Sequence, residues 1–278
     1  MAVSGNKINK IGFLGAGNMA EALISGLISS GVARAGNIAA ADICVPRLML
    51  LKKKYGVRTV SDNRLLVGES DIVFLAVKPK DVEKLLSETG ASFTPSKLIV
   101  SIAAGITSAF IEKFVPKNVA VVRSMPNTPA LLGKGAIAIS AGRYARAGHL
   151  KLAHKALSAA GLVVRLEEKM INAVTAVSGS GPAYVFYIAE ALENAAVEIG
   201  LDRATAALLA RQTIYGAGAM LVQTQDGPDV LRKKVTSPGG TTEAAVMFLE
   251  KKRFADVFKQ AVRKAFEKAG QLSGQRRE

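Results

Sequence analysis

The sequence predicts an α/β protein, with a doubly wound parallel sheet in residues 1–167 and an all-helical domain in residues 168–278. Two observations carry this reading. Short apolar β-rich runs alternate with helical patterns through the first half, the signature of βαβ units with helices on both sheet faces. From Met170 on, the chain turns to alanine, leucine and other helix formers with almost no strand-like alternation.

The elements follow in order. Lys10–Leu14 reads as a buried strand, followed by a glycine turn and a helix over Met19–Ser29. Asn37–Ala41 is a second strand, leading into a helix over Leu48–Tyr55. Ile72–Val77 and Lys97–Ile102 are further strands, separated by a helix around Val82–Glu88. Val119–Arg123 and Ala136–Ser140 complete the strand-rich half. Beyond it, Tyr184–Ile199, Arg203–Val222 and Phe254–Leu272 read as helices, with a short one over Asp229–Val235. Small residues between Asn172 and Leu201 allow helices to approach closely, and a small helical domain with long apolar faces commonly buries them against a second subunit.

The first strand runs into Gly15-Ala16-Gly17-Asn18-Met19-Ala20, a G-x-G-x-x-A turn that opens a helix. Gly15 permits the tight turn, Gly17 lets a pyrophosphate approach the backbone, and Ala20 is small enough for the helix to pack on the strand. The helix start presents free N–H groups to phosphate. This is the dinucleotide-binding turn of a Rossmann-type domain. Asp42 lies about 25 residues beyond Gly17, where an acidic residue usually binds the ribose 2′-hydroxyl of NAD. It also reads as a turn or helix-cap residue, and Arg47 with Ser61-Asp62-Asn63 offers a cradle for the 2′-phosphate of NADP instead.

Composition narrows the function classes. The chain of 278 residues is 49% hydrophobic and 21% charged, as in ordinary globular proteins. A single cysteine, Cys44, rules out a disulfide framework and a multi-cysteine zinc site. His149 and His154 are spaced unlike a metal pair and read as surface residues of a polar helix, so no metal is expected. The opening MAVSGNKINK lacks the apolar core of a signal peptide, and no apolar run reaches the roughly 20 residues of a membrane span. The expectation is a cytoplasmic protein without membrane partners. The net charge of +15 raises nucleic acid as a partner, but the cations are dispersed and no basic run is interleaved with aromatics. A field that attracts an anionic cofactor and substrate accounts for it.

Four further features identify a family. Ala76-Val77-Lys78-Pro79, Ala103-Ala104-Gly105, Ser124-Met125-Pro126-Asn127-Thr128-Pro129, and the pair SGSGPAY (178–184) and VTSPGGTT (235–242) follow the GAGNM turn in that order. Together they closely resemble pyrroline-5-carboxylate reductase over nearly the whole chain; VTSPGGTT is the most specific part and the glycine turn the least. The resemblance implies reduction of 1-pyrroline-5-carboxylate to L-proline, the last step of proline biosynthesis, usually with NADPH and in some members NADH. It implies a Rossmann domain, a helical dimerisation domain, and at least a homodimer, with larger rings of dimers common. It also implies an active site where the Rossmann domain of one subunit meets the helical domain of its partner.

Carried over by position, the resemblance places Leu14, Gly15, Ala16, Gly17, Asn18 and Met19 on the pyrophosphate, and Asn63 by the adenosine ribose or its phosphate. Ala76, Val77, Lys78 and Pro79 pass beside the cofactor, and Ile102, Ala103 and Ala104 lie near the nicotinamide. Thr241 and Thr242 take the substrate carboxylate and ring nitrogen, within a substrate site that includes Ser237, Gly240, Glu168 and Lys234.

Residue chemistry supports part of this assignment directly. Gly239 and Gly240 allow successive N–H groups to converge on an anion, and a threonine hydroxyl both donates and accepts, which suits a nitrogen that is imine in the substrate and amine in the product. Thr242 is therefore the candidate catalytic residue. By spacing alone SPGGTT reads equally well as a turn with Thr241 as helix cap. Ser178-Gly179-Ser180-Gly181-Pro182 reads as a tight turn that starts a packed helix, with Ser180 and Tyr184 as alternative donors. Pro126 and Pro129 make a stiff loop, either lining the pocket or purely structural. A hydroxy-acid dehydrogenase of similar plan would need a helical lysine or other strong acid near the nicotinamide, which is not identifiable. A silent nucleotide-binding relative would be expected to have lost SPGGTT, which is intact.

Overall fold

The computed structural model describes residues 10–274. The polar opening segment 1–9 and the basic pair Arg276-Arg277 lie outside the described residues. The chain divides into two compact units: residues up to Gly179 together with those from Ala265, and Ser180–Lys264.

The first unit is built on eight strands: β1 (Ile11–Leu14), β2 (Ile38–Ala41), β3 (Arg58–Thr59), β4 (Ile72–Leu75), β5 (Leu98–Ser101), β6 (Ala120–Met125), β7 (Gly135–Ala141) and β8 (Gly161–Arg165). Their order across the sheet is β3-β2-β1-β4-β5-β6-β7-β8. All neighbours pair in parallel except β6 with β7. The all-parallel expectation is thus corrected at one end. The link from β6 to β7, Pro126 to Lys134, is too short for a parallel crossover, which needs a dozen or more residues. β3 and β8 are strands that the sequence reading omitted.

Side chains alternate between the two faces. Phe13, Ala40, Phe74, Val100 and Val122 belong to a core covered by helices α1 (Asn18–Ser29), α2 (Val45–Tyr55) and α6 (Ala147–Leu157). Leu14, Ala41, Leu75, Ile99 and Val121 belong to the opposite core, covered by α3 (Asn63–Glu69), α4 (Val82–Thr89) and α5 (Ser108–Glu112). Phe13 and Phe74 face each other across β1 and β4 and stack at 4.7 Å. Burying each ring contributes about 1.5–3 kcal/mol. Gly12 has no side chain because α3 crosses directly over it; a Cβ there would collide with Ser70 and Leu66.

Local signals set the helix ends. Asp62 accepts the Arg64 and Leu65 N–H groups and starts α3, while Gly56, at φ 69°, ends α2. Thr107 caps α5 through the Phe110 N–H. The short α7 (Ile171–Val174) continues into a π-helical turn over Thr175–Gly179. The expected tight turn in SGSGPAY is therefore replaced by near-continuous helical backbone.

The second unit holds α8 (Gly181–Glu198), α9 (Arg203–Gln223), α10 (Pro228–Lys234), α11 (Thr241–Lys251) and the first part of α12 (Phe254–Leu272). Pro182 lies in the first turn of α8, as its missing N–H favours. α8 and α9 pack side by side, and Asp202 caps α9 through the Ala204 and Thr205 N–H groups. The helix expected to be packed after Pro182 has no buried residue within this single chain. Among the described residues, no helix is long and apolar enough to cross a membrane.

Candidate active site

The cofactor segments expected from sequence converge in the first unit. Leu14 ends β1, and Ala76 and Ile102 directly follow the C-terminal ends of the neighbouring strands β4 and β5. Ala76 N–H donates to Leu14 O at 2.8 Å and Ile102 N–H to Leu75 O at 3.1 Å. Strand order reverses between β1 and β4, and ligands of open α/β sheets bind in the crevice at that point. Gly15, at φ 105°, makes the turn beside this crevice; a Cβ on it would lie 2.6 Å from Ala76 O. Gly17 is the N-cap of α1 and faces open space, with no side chain capping the helix. The first N–H groups of α1 have no intrahelical partner. An open glycine backed by unsatisfied amides fits a dinucleotide pyrophosphate.

The polar residues expected by the adenosine from the sequence are already engaged. Asp42 gives one carboxylate oxygen to the Ala16 N–H at 2.6 Å and the other to the Cys44 N–H at 2.7 Å, as a turn residue does. Arg47 donates to Ala16 O and to Glu21, and Asn63 donates to Glu88 at 3.3 Å. Burial pushes the Glu21 carboxyl up, but hydrogen bonds from Lys54, Arg47 and Tyr55 outweigh it and hold the group below its ordinary value. Lys78 is exposed ahead of a short turn at Pro79–Asp81, and Val77 is half-buried. Ala103 is buried while Ala104 is exposed at the crevice edge.

Glu168, expected near the substrate, has other partners. Its carboxylate accepts the Ser108 N–H at 2.8 Å and the Ser108 hydroxyl, and pairs with Arg123 at 3.2 Å. Arg123 is only 2% exposed. The sequence reading passed over Arg123, although one arginine in the apolar run AVVRSM is a signal: a buried guanidinium requires a paired acid. Asn127 resolves the Pro126–Pro129 loop toward structure, since its side chain donates to Ser178 O and accepts the Ala136 N–H. His149 is half-buried rather than a plain surface residue. Its Nδ1 accepts the Arg146 N–H at the start of α6, and burial, then Arg146, lowers its pKa. His154 is exposed and meets Ser158. Among the described residues, no group of three or more His, Cys, Asp or Glu is placed to hold a metal.

In the second unit, Ser237 O accepts the Gly240 N–H at 3.0 Å and closes the SPGG turn, with Gly239 at φ 72°. Gly240 is the N-cap of α11, so Thr241 is the first helical residue rather than the cap. No side chain caps α11. The amides of Thr241 and Thr242 thus stand at an uncapped helix start, suited to a carboxylate. Glu243 turns back to accept the Gly239 N–H at 2.7 Å and stiffens the turn. Lys234 pairs with Asp226 at 2.6 Å on the surface of the same unit.

The switch-point crevice and open glycine turn define a Rossmann-type dinucleotide-binding domain. Residues 10–105 match a model described as NADP oxidoreductase, coenzyme F420-dependent, and residues 168–272 match pyrroline-5-carboxylate reductase dimerisation. The chain is 41% identical to a pyrroline-5-carboxylate reductase of Methanosarcina acetivorans, over 95% of this chain and 97% of that protein. A solved pyrroline-5-carboxylate reductase from Coxiella burnetii is similar in fold, with a TM-score of 0.90 and 39% identity, covering 96% of this chain and 99% of that one. A Plasmodium falciparum pyrroline carboxylate reductase with NADP bound aligns with a TM-score of 0.85 and 30% identity, over 97% of this chain and 100% of that one. The chain belongs to the pyrroline-5-carboxylate reductase family. It is an NAD(P)H-dependent enzyme with a dimerisation domain.

Proposed function

We propose that this chain reduces 1-pyrroline-5-carboxylate to L-proline with hydride from NADPH, the last step of proline biosynthesis, and that Thr242 is its catalytic residue. NADH is the alternative donor. The observation that carries the reading is the uncapped start of α11 behind SPGG, in a chain of this family. When bound, the reduced nicotinamide supplies the hydride that the imine carbon receives. The residues of the chain do the rest. Leu14 to Met19, Asn63, Ala76 to Pro79 and Ile102 to Ala104 hold the dinucleotide. The Thr241 and Thr242 amides hold the substrate carboxylate, with Ser237 and Gly240 shaping the turn, and Glu168 and Lys234 are further substrate-binding residues of this reading. The Thr242 hydroxyl orients the ring nitrogen and passes it the proton that completes the amine. Holding reactants about 3–3.5 Å apart supplies roughly 7–11 kcal/mol of a barrier, so positioning accounts for much of the catalysis.

In this reading residues 1–167 form the cofactor domain and 168–278 the dimerisation and substrate domain, a division supported by the family match beginning at residue 168. Dimers assemble into a larger ring, the protein works in the cytoplasm, and the positive charge draws in anionic cofactor and substrate rather than nucleic acid.

The test is NADPH and NADH oxidation followed spectrophotometrically with 1-pyrroline-5-carboxylate. Thr242→Ala should lower kcat by about 100-fold, within the range of a lost acid–base group, while the Kd for NADPH changes less than about twofold. Unchanged turnover would remove Thr242 from the mechanism; no substrate-dependent oxidation by the parent chain would overturn the function.

A further inference from the structure

The glycine turn is gripped from the side by the loop that follows β2. Asp42 Oδ2 accepts the Ala16 N–H at 2.6 Å, and Arg47 Nε donates to the Ala16 carbonyl at 2.9 Å. Ala16 itself is fully buried. Both backbone polar groups of the middle residue of the turn are thus held by charged side chains, 26 and 31 residues further along the chain. Neither grip is left loose. The second oxygen of Asp42 takes the Cys44 N–H at 2.7 Å, and the guanidinium of Arg47 is anchored on Glu21 at 2.8 Å. Hydrogen bonds with one ionised partner are roughly twice as strong as neutral ones.

An acid at the end of the second strand ordinarily takes the ribose 2′-hydroxyl and, being charged, repels a 2′-phosphate. Here each carboxylate oxygen already faces a backbone N–H donor. Turning the carboxylate toward a ribose would leave the buried Ala16 N–H without a partner, and an unsatisfied buried donor is costly. Two N–H dipoles pointing at the carboxylate also offset part of its charge.

We infer that Asp42 and Arg47 are positioning residues that clamp Ala16, so that Gly17 and the first turn of α1 present their amides to a pyrophosphate. Committed to that grip, Asp42 does not select between NADPH and NADH. The inference rests on the dinucleotide-binding reading above and goes beyond it by separating the strength of cofactor binding from its selectivity.

The experiment titrates the full chain with NADPH and with NADH, following nicotinamide fluorescence, and measures backbone amide exchange in the segment containing Ala16. Asp42→Asn should weaken both cofactors by the same factor, about tenfold, equivalent to 1.4 kcal/mol. The ratio of the two Kd values should stay within about twofold, and Ala16 exchange should accelerate. Arg47→Gln removes the other half of the clamp and should weaken both cofactors equally, which decides the matter if the Asp42 variant does not fold. Lys54→Ala, which loses a contact to Glu21 but none to Ala16, should leave both affinities unchanged. A shift of the Kd ratio by more than about tenfold toward NADPH in Asp42→Asn would overturn the inference, because Asp42 would then be reading the ribose. Unaltered affinities with a lowered Tm would also overturn it, since they would leave Asp42 a merely structural role. A parent chain that binds neither cofactor would instead overturn the dinucleotide reading, and with it this inference.

Discussion

The two units contain similar apolar residues and dispose of them in opposite ways. In the sheet unit, β1, β2, β4 and β5 are buried at every position, and helices cover both faces. In the helical unit, α8, α10 and α11 have no buried residue, and α9 buries only Ala206 and Ala210. Phe186 is 66% exposed, Tyr215 72% and Val222 85%. Apolar side chains on several sides of a helix mark one meant for burial, and exposed apolar surface of this extent marks an association site. The first unit therefore carries its own core. The second leaves its apolar faces uncovered within one chain, and residues 168–272 match a family described as dimerisation.

The largest expected effect falls on the second unit. Phe186→Asp places a charge on the exposed apolar surface of α8 and should abolish the dimer. Sedimentation would then show monomer at concentrations where the parent is associated, and the helical signal of the second unit should be lost with it. The parent should show a Tm that rises with protein concentration, as linkage between folding and assembly requires. A Phe186→Asp dimer of unchanged stability would refute the comparison.

A smaller effect tests the sheet unit alone. Glu168→Ala leaves Arg123 charged and buried without its acid, and removes the acceptor of the Ser108 N–H. Breaking a buried pair from one side costs about 3–5 kcal/mol, and Glu168 is partly exposed, so the lower end of that range is expected in denaturant unfolding. If Glu168 instead acts chiefly on substrate, KM will rise with stability intact.

The smallest effect is a pH response. The folded-state pKa of His149 lies below the ordinary value of 6.5, so the unfolded chain binds more protons between the two. Stability should fall as the pH drops below about 6.5 toward the folded pKa. His149→Gln should flatten that part of the profile. Glu21, with its lowered folded pKa, adds a loss of stability only at more acidic pH, below its ordinary 4.5.

Much of this architecture was legible in the sequence, for reasons that differ by element. Runs such as IGFL, IVFL and LIVS announce strands buried on both faces. β8 was not legible because it is an edge strand whose Leu162 and Val164 remain exposed, and the two-residue β3 is too short for a pattern. The antiparallel turn of β7 depends on the length of one loop rather than on periodicity. The glycine turn was readable because glycine placement follows from backbone geometry, whereas SPGGTT read by spacing alone as a turn or as a site, and only the family resemblance favoured the site. The pairings of Asp42 and Arg47 with Ala16, and of Glu168 with Ser108, were not readable, since these partners lie 26 to 60 residues away and only the fold brings them near.

The space that a Cβ on Gly15 would need is already filled by the Ala76 peptide, so the turn after β1 and the end of β4 constrain one another. A side chain gained at position 15 has to be matched by a retreat of the backbone at 76, and that backbone is tied to Leu14. Position 15 is thus closed to other residues twice over, by this contact and by its φ of 105°. A library varied at residue 15 should return only glycine even where the β4 end is also varied, because a retreat at position 76 relieves the contact but not the φ of 105°.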